Sequence, residues 1–132
     1  MSSVLIIEDD FLESMALEDL FRSHGYTVAG VAVSGEGAVT IATARHPDIV
    51  VVDVGLVGRL DGIEAAQRIR AMGDCILIFV TGRYDPEVIA RMNAVKPDEI
   101  IPKPGSALGI LTSIEGALAR RKARKEVKTG AD

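Results

Sequence analysis

Ile49-Val50-Val51-Val52-Asp53 is a run of four β-branched residues closed by a carboxylate. An unbroken apolar run marks a strand covered on both faces, as the strands of parallel sheets are. The neighbouring stretches repeat the pattern. Val4-Leu5-Ile6-Ile7 and Ile76–Val80 are similar short runs, Tyr26–Val33 is another strand, and Ile100-Ile101 is a brief fifth before Pro102. Helical spacing fills the intervals. The first helix runs from about Phe11 to His24, with Leu12, Ala16 and Leu20 one turn apart, and Gly25 stops it. Ser34 caps a second, running to about Arg45, before the turn His46-Pro47-Asp48. A glycine-rich loop from Gly55 to Gly62 leads to a third through about Met72, and Pro86–Asn93 forms a fourth. The last, from about Ser106 to Arg124, is expected to bury Ile110, Leu111, Ile114 and Leu118. Five strand–helix units in alternation predict an α/β fold, a doubly wound five-stranded parallel sheet with helices on both faces.

The length of 132 residues, 48% of them hydrophobic, suits one domain with one core. The apolar runs are far shorter than the ~18 residues of a membrane-spanning helix, so no membrane partner is expected. No basic segment precedes a long apolar stretch, so no secretory signal is expected either. Cys75 is the only cysteine, which excludes an internal disulfide and a cysteine-rich metal site and points to a reducing, cytoplasmic setting. Its place opening the fourth strand predicts a buried, inert thiol. The methionines read as core filler.

The net charge of −4 hides an asymmetry. Residues 120–132 carry six basic and two acidic residues, a net of +4, whereas residues 1–119 carry nine basic and seventeen acidic, a net of −8. An acidic body repels phosphates, so nucleic acid is an unfavourable partner. The basic end reads as a solvated helix terminus whose cations suit the helix dipole. The domain is thus expected over 1–119, with 120–132 as its basic helix end or tail.

In open parallel sheets, chemistry gathers at the carboxyl ends of the strands. Strand one ends in Glu8-Asp9-Asp10, strand three in Asp53, strand four in Thr81-Gly82 and strand five in Lys103-Pro104. Converging carboxylates repel unless a cation sits between them, and all-oxygen ligands with open water positions suit Mg²⁺. A lysine beside them can neutralise a transferred anionic group, and a threonine hydroxyl can bond its oxygens. That set is what phosphoryl transfer to a carboxylate requires.

From Val4 to about Leu118 the chain resembles the receiver domain of two-component response regulators, and the four groups above match that family's motif in order and spacing. The resemblance implies a flavodoxin-like sheet of strand order 2-1-3-4-5. It implies that Asp53 accepts a phosphoryl group from a histidine kinase or phosphotransferase, and that Asp9, Asp10, Asp53 and the Gly55 carbonyl bind Mg²⁺. It further implies that Lys103 pairs with the phosphoryl group, that Thr81 moves to bond it, and that the Lys103–Pro104 bond is cis. The product would be a stand-alone bacterial switch and not an enzyme. Its partner would be a downstream protein or a second copy docked through the face of helix four, strand five and helix five.

Three departures stand out. The loop after Asp53 lacks the proline common there and looks one residue longer than usual. Ile100 occupies the usual aromatic position three before Lys103, and Tyr84 is the candidate replacement. Phe79-Val80-Thr81-Gly82 is similar to the PFxFATG signature of a subset of single-domain receivers, with Ile76 and Leu77 replacing Pro-Phe; that subset implies HWE-type kinases and general-stress signalling.

Glu8-Asp9-Asp10 alone would pass for a helix-start acidic cluster. Gly35-Glu36-Gly37 lacks the third glycine of a dinucleotide fingerprint. His24 and His46 sit at helix ends with no ligand partner at metal spacing. A Mg²⁺-dependent aspartyl-phosphate phosphatase usually places a second acid two residues after the nucleophile, where this chain has Gly55. A pseudo-receiver with the fold but no phosphorylation is the remaining alternative.

Overall fold

The computed structural model describes residues 2–55, 60–103 and 106–130, with side chains through residue 126. Ten elements alternate: β1 (Ser3–Ile7), α1 (Phe11–Ser23), β2 (Thr27–Ala32), α2 (Gly35–Arg45), β3 (Ile49–Asp53), α3 (Gly62–Met72), β4 (Ile76–Thr81), α4 (Pro86–Ala94), β5 (Glu99–Pro102) and α5 (Ala107–Gly130). The strands pair in parallel in the order β2-β1-β3-β4-β5, as expected.

The continuous β-branched run behaves as its composition demands. All five residues of β3 are buried, and successive side chains enter opposite layers. Val50 and Val52 join Leu5, Ile7, Leu77 and Phe79 in one core, which α2, α3 and α4 cover with Ala38, Ile63 and Met92 among others. Ile49 and Val51 join Val4, Ile6, Ile78 and Val80 in the other, which α1 and α5 cover with Leu17, Phe21, Ile110, Leu111 and Ile114. Four helices start on side-chain caps: Asp10 for α1, Ser34 for α2, Asp61 for α3 and Ser106 for α5. His24 and His46 are C-caps, the latter in the left-handed region at φ 46°.

Several local expectations need correction. In α1 the Leu12, Ala16, Leu20 stripe is not centred on the core: Leu12 is 72% exposed, only Leu20 packs partly against it, and the buried residues are Ser14, Leu17 and Phe21. The stripe has the right period but the wrong phase, because docking of α1 against the sheet and α5 turns Leu17 and Phe21 inward. The helix α5 continues past Arg124 to Gly130, so residues 120–130 extend it unbroken. Its inner seam is Ile110, Leu111, Ile114 and Ala117, with Leu118 only partly buried. The fifth strand does not stop before Pro102 but includes it as its last residue, which an edge strand tolerates. Of the methionines, Met92 is buried but Met15 and Met72 are more than 40% exposed. Cys75 is buried as expected, and burial pushes its thiol pKa up. The proposed loop length after Asp53 and the Lys103–Pro104 isomer fall on residues 56–59 and 104, outside the described residues.

Two glycines make a test of this packing. A Cβ on Gly35 would lie 2.2 Å from the Leu60 carbonyl oxygen, whereas one on Gly73, which has extended backbone, meets nothing within 4 Å. Gly35→Ala is expected to cost about 2–3 kcal/mol. Gly73→Ala is expected to be neutral or to stabilise by up to ~1 kcal/mol through the unfolded chain. Urea unfolding of the two variants checks both values, and equal stabilities would contradict the close α2–Leu60 approach.

Candidate phosphoacceptor site

The register that places Ile7 beside Val52, and Asp53 beside Val80, brings the ends of β1, β3 and β4 to one edge. Side-chain alternation then decides what each end delivers. Glu8 continues the face of Val4 and Ile6, and Asp53 continues the face of Ile49 and Val51. Both carboxylates therefore turn toward the layer under α1 and α5. Glu8 is 5% exposed and Asp53 7%.

Asp53 is held from two sides. Its Oδ1 accepts a hydrogen bond from the Gly55 N–H at 2.9 Å, and Lys103 Nζ lies 3.2 Å from the same oxygen. Lys103 is aimed by its own backbone, whose N–H donates to the Thr81 carbonyl at 2.8 Å. Its ammonium also lies 3.6 Å from Glu13 Oε2, one turn into α1. One oxygen each from Glu8, Glu13 and Asp53 lie within 4.8 Å of one another. Three acids thus share one lysine. A cavity of about 190 Å³ opens beneath them, with Leu17, Val80 and Ile110 among its walls.

The electrostatics follow from this crowding. Burial, then the adjoining Asp53 carboxylate, push the Glu8 pKa up to about 8, against the pull of the Asp10 N–H that donates to Glu8 Oε1 at 3.0 Å. Burial works against the Lys103 charge, yet Asp53, Glu8 and Glu13 together raise its pKa above the ordinary lysine value. The site therefore favours an additional cation. Its all-oxygen donor set fits a hard divalent ion, and the shared negative charge is what such an ion relieves.

The residues singled out from sequence divide into two groups. Asp53 and Lys103 meet directly, and Thr81 stands at the adjacent strand end, 1% exposed. Its Oγ1 accepts the Arg83 N–H at 2.9 Å in a local turn. Gly55 touches Asp53 through its N–H. Asp9 and Asp10 stand apart from the cluster of three carboxylates: Asp9 is exposed, and Asp10 Oδ1 accepts the N–H groups of Leu12 and Glu13 at 2.9 and 3.1 Å as the cap of α1. Glu13 was missed altogether and Glu8 was not assigned as a ligand. The alternation from Ile6 to Glu8 would have found Glu8, and the i, i+3 step from Asp10 would have placed Glu13 over it.

A sheet of order 2-1-3-4-5 carrying these groups at its carboxyl edge is the design of a signalling receiver. Residues 4–115 match the response regulator receiver domain, and the chain belongs to that family, whose members serve two-component signalling. Among curated proteins it is 32% identical over 117 residues to the transcriptional regulatory protein PdtaR of Mycobacterium tuberculosis, covering 89% of this chain and 57% of that one. It is 36% identical over 110 residues to AfsQ1 of Streptomyces coelicolor, covering 82% and 48%. The chain thus spans about half the length of these relatives. Among solved structures, the receiver domain of a modulated diguanylate cyclase from Desulfovibrio desulfuricans superposes with a TM-score of 0.84 at 39% identity, covering 94% of this chain and 98% of that one. The PhyR receiver domain of Erythrobacter litoralis does so at 0.77 and 35%, covering 89% of each. No helix among the described residues is long and apolar enough to cross a membrane.

Glu8 makes a pH-dependent prediction. Its folded pKa lies above the unfolded value, so its contribution favours the fold below about pH 4.5 and is lost as pH rises through about 8. Glu8→Gln keeps an acceptor for the Asp10 N–H and removes that loss. Without divalent cation, the variant is expected to melt about 5 °C above the wild type near pH 9 and to match it near pH 4. Melting curves across that range check it, and a pH-independent difference would contradict the crowded-carboxylate account.

Proposed function

We propose that the chain is a phosphorylation switch in which Asp53 accepts a phosphoryl group from the phosphohistidine of a kinase or phosphotransferase. The observation that carries this reading is the buried Asp53 carboxylate paired with Lys103 at 3.2 Å beside two further carboxylates. An Asp53 oxygen forms the new O–P bond as the donor's N–P bond breaks, and the imidazole leaves as it takes up a proton. Gly55 N–H and Lys103 fix the carboxylate's orientation, so little reorganisation is needed at the moment of transfer.

Glu8, Glu13 and Asp53 are the side chains placed to hold Mg²⁺, with Asp9 at the exposed rim and Asp10 and the Gly55 carbonyl as the other candidates named by family resemblance. When bound, the ion supplies neutralisation of the phosphoryl oxygens. Lys103 pairs with the charge that develops on the transferred group. Thr81 has to release its turn with Arg83 before its hydroxyl can bond a phosphoryl oxygen, which ties the β4–α4 loop to the state of Asp53. Gly55 presents no side chain two residues past Asp53, so no acid stands there to activate water, which disfavours the phosphatase reading.

The partial PFxFATG likeness around Phe79–Gly82 supports a stress-signalling setting. The downstream partner is a protein, and a second copy docked on the α4–β5–α5 face is one form it can take.

The test is incubation with Mg²⁺ and acetyl phosphate, read by intact mass. One phosphoryl group is expected, absent in Asp53→Asn and without Mg²⁺, and taken up about 10²-fold more slowly by Lys103→Ala. If neither acetyl phosphate nor a phosphorylated histidine donor modifies the wild type, the pseudo-receiver reading replaces this one.

A further inference from the structure

The segment Leu60–Gly62, on which the loop after Asp53 ends, is gripped by four elements. Gly62 packs against β3 itself: a Cβ there would lie 2.8 Å from the Asp53 carbonyl oxygen and 2.9 Å from Val52 Cγ1. The helix α2 closes on Leu60, with Gly35 against its carbonyl and Glu36 Oε1 accepting its N–H at 2.8 Å. Asp61 divides its carboxylate between two helices. Oδ1 accepts the Glu64 N–H at 2.8 Å and caps α3, while Oδ2 takes Arg91 Nη2 of α4 at 2.8 Å. Arg91 also lies 3.9 Å from Glu64 Oε1. Burial works to raise the Asp61 pKa, but the Glu64 N–H and Arg91 outweigh it and hold the carboxyl below its usual value, so the pair persists at neutral pH.

We propose that Glu36 and Arg91 are positioning residues for Asp53: they hold Leu60–Gly62 against the acceptor strand, and through Arg91 the state of Asp53 is transmitted to α4. This rests on the phosphoacceptor reading above. The reasoning is geometric. Leu60 is 5% exposed and Gly62 allows no side chain between itself and Asp53, so a shift of the Asp53 carbonyl is passed to Asp61. Asp61 in turn holds a cation on the helix whose Val88 and Met92 are otherwise seated in the apolar core. Coupling of this kind is reciprocal, so a partner that displaces α4 would alter the phosphorylation of Asp53 in return.

The substitutions separate charge from cap. Asp61→Asn keeps an N-cap side chain and loses the ion pair. Arg91→Met keeps the stem, Arg91→Lys keeps the charge, and Glu36→Gln keeps the acceptor that Glu36→Ala removes. In the full chain with Mg²⁺, Arg91→Met and Glu36→Ala are expected to slow phosphoryl uptake from acetyl phosphate by about threefold, with Arg91→Lys and Glu36→Gln near wild type. Amide exchange gives the second readout. Phosphorylation is expected to change exchange in residues 60–64 and 86–94 of the wild type, and only in residues 60–64 of Arg91→Met and Asp61→Asn. Unchanged uptake in Arg91→Met and Glu36→Ala, or an α4 response retained in Arg91→Met and Asp61→Asn, overturns the proposal. Should the wild type accept no phosphoryl group, the phosphoacceptor reading fails by itself. Positioning is then judged on the unmodified protein: about threefold faster exchange at residues 53–55 and 60–64 in Arg91→Met and Glu36→Ala supports it, and unchanged exchange refutes it.

Discussion

The contact between Lys103 and Asp53 governs the carboxyl edge of the sheet. Parallel pairing forces the ends of β1 and β3 together, and alternation turns Glu8 and Asp53 to the same side, where Glu13 reaches down from α1. Three carboxylates so close, two of them buried, repel one another unless a cation sits among them. Lys103 is the cation the chain itself supplies, and its N–H bond to the Thr81 carbonyl anchors its backbone at the end of the β4–β5 ladder. The remaining excess of negative charge is what a divalent ion would meet. The lysine thereby offsets part of the negative charge and stands ready for an incoming anion, so sheet register, helix start and site chemistry are one arrangement.

How much of this was legible depended on the range of the interaction that decides each feature. The strands were legible because burial on both faces leaves an uninterrupted run, as in Ile49–Val52, which no local competitor imitates. Strand ends inherit that certainty, so Asp53, Thr81 and Lys103 fall where the sequence puts them. The helix α1 was harder. Leu12, Ala16 and Leu20 share a stripe as regular as that of Leu17 and Phe21, and only docking against β1 and α5 selects the second. Its cap shows the same limit. In Glu8-Asp9-Asp10 three acids look interchangeable, yet strand alternation sends Glu8 inward, leaves Asp9 at the surface and hands Asp10 to the helix N-terminus. Glu13 was invisible for another reason: an exposed first-turn glutamate is ordinary helix chemistry, and only the fold brings Lys103 to it.

The opposite edge of the sheet is built on contrary electrostatics. Asp98 Oδ2 accepts the Leu77 N–H at 2.8 Å and lies 3.7 Å from Arg70 and 3.4 Å from Arg121. Arg121 also pairs with Asp74 at 3.0 Å and donates to the Cys75 carbonyl at 2.8 Å, and Arg70 donates to the carbonyls of Cys75 and Lys96. Opposite charges there are matched and tied to backbone, which fastens α3, α5 and the start of β4 together. Like charges are gathered at the carboxyl edge. Local stability in a fold is uneven, and elements that change state come from its weaker end.

The helix α5 runs between these two regimes. It begins beside Lys103, where Ala107 and Ile110 line the cavity under the carboxylates, and is pinned fourteen residues further on by Arg121. Its 24 residues make a rod of about 36 Å, well beyond the ~20 Å of the strands it covers. The surplus turns carry Lys122, Arg124 and Lys125, so the basic surplus of residues 120–126 lies at one end of the rod and the acidic cluster near the other. Because Arg121 is bonded to Asp74, Asp98 and the Cys75 carbonyl, that basic end is not a loose appendage. It leaves the body in a direction set by the same network that braces the amino edge, which makes its orientation a property of the fold, whatever partner it meets.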